Sequence, residues 1–158
     1  MAAAKTNAVR LLEAAGISFR TEEYEVDEED LSGVHAAEVV GMPPEQMFKT
    51  LVAKGDRNGI NVFCIPVAES LDLKKAAAIS GNKSLEMVHV KDLLGLTGYI
   101  RGGCSPVGMK KQYPTYIDET CILFDEIAVS AGRRGLQLLI SPDALCEFVR
   151  AEQAALTV

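Results

Sequence analysis

The sequence predicts a mixed α/β fold of one domain over residues 1–158, with helices surrounding a mixed or antiparallel sheet. Three observations carry that expectation. Segments with helical spacing and segments with strand alternation are interspersed rather than grouped. Two strand–turn–strand units, with glycine-bearing turns at 55–59 and 131–135, call for hairpins. A chain of 158 residues is of ordinary length for one domain and can bury a sizeable core.

The elements follow in order. Ala8, Leu11, Leu12 and Ala15 recur at helical spacing, with Thr6 as cap and Gly16 as stop. Ile17 and Phe19 alternate with polar residues and start a strand towards Tyr24. Residues 25–30 read as an exposed loop, because so many like charges repel one another in a packed element. A short helix over 36–41 follows Ser32 and is ended by Gly41 and Pro43-Pro44. Residues 47–54 and 60–67 form a hairpin around the turn 55–59. Next comes a helix over 72–80, with Leu73, Ala76 and Ala77 inward and Gly81 after its end, then a short strand at 85–88. The helix 90–96 delivers the chain into a glycine-rich loop. After Pro114, Tyr116 and Ile117 begin a strand, and Asp118-Glu119 mark a turn. Strands 127–130 and 136–140 flank the second turn. Ser141-Pro142-Asp143 opens the last helix with a cap, a proline in the first turn and an acid at the positive end, and Leu145, Phe148 and Val149 give it a buried side.

Composition narrows the functional classes. Apolar residues are 48% and charged residues 24%, ordinary for a folded soluble protein. No apolar run approaches the roughly 20 residues of a membrane span, and the first residues lack the features of a signal peptide. A cytoplasmic protein without a membrane partner is the expectation. Cys64, Cys104, Cys121 and Cys146 are scattered without a Cys-x-x-Cys pair, and the histidines are His35 and His89 alone. No metal-ligand spacing results, no metal or cofactor is called for, and reduced thiols are expected. The net charge of −6 is concentrated. Glu22, Glu23, Glu25, Asp27, Glu28, Glu29 and Asp30 fall within nine residues, and the rest of the chain holds 15 acids against 16 bases. A basic surface elsewhere is therefore allowed.

The chemistry-bearing stretch is residues 97–111, which contain Gly98, Gly102, Gly103 and Gly108. Pro106 fixes φ and pushes Ser105 towards an extended conformation. Such a loop has few side chains and amides free to point at one oxygen, so it suits a carbonyl, an oxyanion or a phosphate. An ordinary glycine turn between strands is the alternative. Lys49 shares one strand face with Met47, Leu51 and Ala53, where a charge is costly unless paired or solvated. Either this face lines a site and Lys49 works there, or it faces solvent and the lysine snorkels. Cys104 inside the loop is a nucleophile only if a base lowers its pKa. Neither histidine stands in a motif with it, so it reads as an apolar filler of the pocket.

The order of these words resembles the YbaK/EbsC family, relatives of the editing domain inserted in bacterial prolyl-tRNA synthetases. The words are Phe48-Lys49-Thr50-Leu51, Pro66-Val67, Leu71-Asp72-Leu73-Lys74-Lys75, Thr97-Gly98-Tyr99 and Gly102-Gly103-Cys104-Ser105-Pro106-Val107-Gly108 with Lys110-Lys111. Pro114-Thr115, Ile117-Asp118 and Ser130 with Gly132-Arg133-Arg134-Gly135 complete the series, so the resemblance spans roughly residues 11–149. It implies a partly barrel-like sheet and trans-editing deacylation, chiefly removal of cysteine from tRNA(Pro), with Cys-tRNA(Cys) a further substrate. Lys49 matches the family's essential lysine, and Gly102, Gly103 and Ser105 fall in its glycine loop as catalytic positions. Tyr24, Gly98, Cys104, Pro106, Asp118, Ser130 and Gly132 are expected to bind the substrate, and Lys110, Lys111, Arg133 and Arg134 the acceptor end of the tRNA. No base-reading motif is present and DNA is not an expected partner; prolyl-tRNA synthetase would then read the tRNA. Residues 26–34 depart from the family pattern, with Leu31, Ser32 and Gly33 where some members carry an aromatic residue. An alanyl- or seryl-tRNA deacylase, a cysteine hydrolase built on Cys104 and a catalytically silent tRNA- or synthetase-binding module are the competing readings.

Overall fold

Residues 5–158 are described by a computed structural model; residues 1–4, at which the absence of a leader was read, lie outside the described residues. Thr6 accepts a hydrogen bond from the Val9 amide and opens α1 (Asn7–Ala14). Ala8, Val9 and Leu12 are its buried side, while Leu11 is exposed. The chain then forms β1 (Phe19–Glu23) and α2 (Gly33–Val40), the latter capped by Ser32 and stopped by a left-handed Gly41. A 3-10 turn at Pro44–Gln46 leads into the hairpin of β2 (Phe48–Gly55) and β3 (Gly59–Pro66). Pairing runs from Phe48 opposite Pro66 to Gly55 opposite Gly59.

The Asp72 carboxylate caps α3 (Leu73–Ile79) by accepting from the Lys74 and Lys75 amides. Of the three residues expected inward, Ala76 and Ala77 are buried, whereas Leu73, the first helical residue after the cap, is 44% exposed. There follow β4 (Leu85–Met87), α4 (Val90–Thr97), β5 (Thr115–Asp118) and a 3-10 helix (Glu119–Leu123). The chain ends with β6 (Ile127–Ser130), β7 (Leu136–Ile140), α5 (Pro142–Val149) and β8 (Glu152–Ala154). The unforeseen β8 pairs in parallel with β5.

The strands make two sheets. One is antiparallel, in the order β1-β7-β6; the other is mixed, in the order β4-β2-β3-β5-β8, with β3, β5 and β8 parallel. An isolated bridge between Met47 and Ala128 joins the two sheets, but among the described residues they do not close into a barrel.

Both faces of the larger sheet are covered. Phe48, Cys64 and Ile117 pack with Leu12 of α1 and Leu145 of α5, whereas Ala53, Phe63 and Ile65 pack with Ala76 of α3 and Leu156. This explains why β3 reads as a nearly continuous apolar run rather than an alternation. Phe63 is fully buried and stacks on Tyr116 at a centroid distance of 5.4 Å. Truncating it leaves a cavity with neighbours on every side. Phe63→Ala should lower the unfolding free energy by about 3–5 kcal/mol, read as a lower urea midpoint with an unchanged slope.

Candidate functional site

β4 pairs only with Ala53, Lys54 and Gly55, so the first half of β2, carrying Lys49 and Thr50, has no strand on that side. A cavity of about 400 Å³ opens there. Its walls are Lys49, Thr50 and Val52 of β2, Gly102 and Cys104 of the glycine loop, and Ser130 and Gln137 from the smaller sheet. Tyr24, Leu31, Ser32 and Gly33 close it from the acidic segment and the start of α2. Because the cavity wraps the strand edge, Lys49 and Thr50 both reach it despite alternating along β2.

Lys49 is half-buried, and no carboxylate lies within 4.0 Å of its ammonium among the described residues. Desolvation pulls its pKa below the ordinary lysine range, and the charge of Glu69 opposes part of that shift. Lys49 is thus a partly desolvated cation beside the cavity, with no ion-pair partner within 4.0 Å among the described residues.

The glycine loop is built to hold its shape. Thr97 Oγ1 accepts from the Tyr99 amide at 3.0 Å and donates to the Leu93 carbonyl at 2.8 Å, fastening the end of α4. The Tyr99 hydroxyl donates to the Val107 carbonyl across the loop, and the Ser105 hydroxyl accepts from the Val107 amide at 3.1 Å. Gly102 has a φ of +86°, a conformation that costs any residue with a Cβ. Gly103 is required for space, since a Cβ there would sit 2.9 Å from the Arg133 carbonyl carbon. The Gly103 amide donates to the Ile100 carbonyl at 3.0 Å, but the Gly102 and Cys104 amides make no hydrogen bond among the described residues. Both residues line the cavity, and their amides are without a partner among the described residues.

Cys104 is buried against Val52 and Tyr99, and burial pushes its thiol up to about 12. His35 lies by Asp30, with Nδ1 3.7 Å from the carboxylate, and His89 stands at the N-cap position of α4 without a side-chain capping bond; neither lines this cavity. A neutral thiol without a base is a poor nucleophile, as the filler reading requires.

Of the expected residues, the cavity gathers Tyr24, Lys49, Gly102, Cys104 and Ser130. Gly98, Gly103, Ser105, Pro106 and Gly132 do not line it. Gly98 ends α4, Ser105 fastens the loop, Pro106 is buried, and the Gly132 amide donates to Ser130 Oγ at 3.1 Å. Asp118 is also not brought to the cavity. Its carboxylate accepts from the Thr120 amide and hydroxyl and from the Leu156 amide at 2.9 Å, so it anchors the C-terminal segment. Gln137 was not foreseen, although it is the one polar residue in the run Leu136–Ile140. It lies opposite Ser130 in the β6–β7 pairing, and its buried carboxamide oxygen has no hydrogen-bond partner among the described residues.

The basic residues divide. Arg133 pairs with Glu23 at 3.2 Å and Arg134 with Glu28 at 3.0 Å, and Arg134 Nε also donates to the Arg101 carbonyl of the glycine loop at 2.8 Å. The acidic segment thus neutralises the arginine turn at the cavity rim. Lys110 and Lys111 are exposed, with Lys110 Nζ 3.4 Å from the Gly95 carbonyl. A broader groove of about 690 Å³ passes Gly95, bordered by Lys54, His89 and Lys91 together with Glu86 and Asp92. It meets the cavity at Met87 and Val88, but it lacks the free loop amides.

With this geometry in view, residues 29–148 match the family described as the aminoacyl-tRNA editing domain. The chain belongs to that family. It is 46% identical over 153 residues to a protein of Enterococcus faecalis (strain ATCC 700802 / V583) named "Putative Cys-tRNA(Pro)/Cys-tRNA(Cys) deacylase EbsC", covering 97% of this chain and 93% of that one. It is also 26% identical over 113 residues to YwhH of Bacillus subtilis (strain 168), an uncharacterized protein, covering 72% and 71%. Among solved structures, "a putative trans-editing enzyme for prolyl tRNA synthetase" superposes with a TM-score of 0.84 at 27% identity over 99% of both chains. The cavity is accordingly the candidate editing site. Among the described residues no helix is long and apolar enough to cross a membrane, and no cluster of three His, Cys, Asp or Glu is placed to hold a metal.

The placement of Asp118 separates a structural from a binding role. Asp118→Ala strands the buried Leu156 amide and should destabilise the fold by about 1–3 kcal/mol. Deacylation per folded molecule, measured below the melting range, should be unchanged.

Proposed function

We propose that this editing domain acts in trans to remove cysteine mischarged on tRNA(Pro), with Cys-tRNA(Cys) a further substrate, and that the substrate's own thiol assists. The observation that carries the reading is the meeting of the unpaired Lys49 with the free Gly102 and Cys104 amides around one cavity. An aminoacyl ester is already activated. What the protein must add is orientation and a home for the developing oxyanion.

In this reading the cysteinyl sulfur attacks its own ester carbonyl. The carbonyl oxygen gathers negative charge and is held by the Gly102 and Cys104 amides. The C–O bond to the ribose then breaks, the proton given up by the cysteinyl thiol ends on the ribose oxygen, and the cyclic thioester leaves. Lys49 cannot serve as a base while protonated; its charge orients the ribose or terminal phosphate and stabilises the transition state. Gln137 offers a carboxamide oxygen to the substrate ammonium, and that contact would satisfy its unpaired acceptor. Gly103 and Ser105 shape the loop rather than touch the substrate. The route explains why no nucleophile–base pair of the protein is needed, as Cys104 is neutral and without a histidine.

The acceptor stem would pass Lys54 and Lys91 on the mixed border of the groove and Lys110 and Lys111 beside it. Prolyl-tRNA synthetase, as partner, would supply the reading of tRNA identity.

The decisive assay compares Cys-tRNA(Pro) with Ala-tRNA(Pro), using wild type and Lys49→Ala. Deacylation of the cysteinyl substrate alone, reduced on the order of 10²–10³-fold by Lys49→Ala, is expected. Cleavage of the alanyl substrate as well would replace thiol assistance by attack of water. Binding of the tRNA without cleavage of either would leave a silent module. Because desolvation lowers the Lys49 pKa, the lysine loses its proton at a lower pH than a free lysine does. The rate should therefore fall on the alkaline side before the ordinary lysine range, and Lys49→Arg should remove that limb from the pH profile.

A second experiment addresses the arginine turn. Glu23→Gln combined with Glu28→Gln frees Arg133 and Arg134 for phosphates. Exposed ion pairs are worth at most about 1 kcal/mol each, so tRNA binding should tighten by less than about fivefold per pair. The dependence of log K on log salt should steepen by about one to two.

A further inference from the structure

The peptide between Arg101 and Gly102 decides where one of the two unpartnered loop amides points. Residues 100–103 form a tight turn, closed by the Gly103 amide on the Ile100 carbonyl at 3.0 Å. Gly102, its third residue, has a φ of +86°, whereas Arg101 has a negative φ. These are the conditions of a type II turn; in a type I turn the third residue has a negative φ and the middle peptide is turned over. Both forms keep the closing hydrogen bond, so that bond does not choose between them. The choice reverses the Gly102 N–H, because the C=O and N–H of a planar trans peptide point in opposite directions.

One side chain acts on this peptide. Arg134 Nε donates to the Arg101 carbonyl at 2.8 Å, and Arg134 Nη1 donates to the Glu28 carboxylate at 3.0 Å. The stem of Arg134 lies along Gly102, where a Cβ would meet its Cγ and Nε at 3.3 Å each. Drawing the Arg101 carbonyl toward Arg134 directs the Gly102 N–H away from it. Gly102 lines the cavity, and Arg134 is not among the cavity's walls. A hydrogen bond from a charged donor is roughly twice as strong as a neutral one. It favours one orientation of a peptide that glycine leaves free to adopt either.

We propose that Arg134 is a positioning residue: by pinning the Arg101 carbonyl it keeps the turn in its type II form and holds the Gly102 N–H on the cavity side, where the oxyanion would form. Arg134 touches no reacting atom and acts through one peptide plane. Glu28, on the other edge of the guanidinium, brings the acidic segment into the same chain of contacts. The catalytic part of this role rests on the deacylase reading above; the pin on the peptide does not.

The test compares Arg134→Met with Arg134→Gln. Glutamine carries its amide nitrogen the same number of bonds from Cα as arginine carries Nε, so it keeps a donor there without the charge. Methionine puts a methyl group at that place. In deacylation of Cys-tRNA(Pro), Arg134→Met should lower kcat by roughly 10–100-fold with KM near that of wild type, against the ~10²–10³ lost with a whole oxyanion donor. Arg134→Gln should recover most of that loss. Crystal structures of the two variants should show Gly102 at positive φ with glutamine, and a turned-over or mixed Arg101–Gly102 peptide with methionine. The proposal is overturned if the two variants act alike, or if methionine leaves the peptide as it is in the wild type. It is equally overturned if Arg134→Met raises KM and flattens the salt dependence of tRNA binding while kcat holds, which is the signature of a phosphate contact. If the wild type itself does not deacylate Cys-tRNA(Pro), the functional reading fails, and the orientation of the peptide in the two variants decides the pin by itself.

Discussion

The close approach of the glycine loop to the turn between β6 and β7 is the constraint on which the site depends. At Gly103 there is no room for a single methyl group before the Arg133 backbone is reached. That contact draws the loop after α4 against the smaller sheet, while β2 belongs to the larger one. Lys49, the free loop amides and the Ser130–Gln137 pair therefore meet, although they come from three separate parts of the chain. Tyr99 braces the arrangement from behind, its hydroxyl on the Val107 carbonyl and its ring 3.1 Å from where a Gly132 Cβ would stand.

Electrostatics divides the surface around this junction. Among the described residues Lys49 has no ion-pair partner, and it sits in a partly dehydrated place, so its charge acts on whatever enters the cavity. Arg133 and Arg134 are instead spoken for by Glu23 and Glu28. The same acidic residues that make the protein anionic overall thus quiet the arginine turn, while Lys54 and Lys91 border the groove beyond together with Glu86 and Asp92, and Lys110 reaches the Gly95 carbonyl there. Net charge alone is a poor guide to where an anionic substrate can lie.

Most elements could be read from local chemistry. Ser32, Asp72 and Ser141 cap the helices they were expected to open, and the β2–β3 hairpin closes around its glycine-bearing turn. β8 could not be read, because Glu152, Gln153 and Ala154 have no strand pattern of their own and become a strand only through the ladder offered by β5. Leu73 failed for a related reason: helical spacing marks a face, but the cap decides which residue begins it.

By itself, the sequence determined the order of elements, the rigidity and poverty of side chains in the glycine loop, and the presence of Lys49 on a strand otherwise apolar on that face. These rest on local steric and hydrogen-bonding preferences that neighbouring residues carry with them. Only the tertiary structure decided that the two sheets stay open rather than close into a barrel. It alone set Asp118 to hold Leu156, tied Arg133 and Arg134 to acids more than a hundred residues away, and left the Gln137 oxygen without a partner among the described residues. Such pairings depend on which surfaces are desolvated together, and desolvation is a property of packed layers rather than of any short stretch of chain.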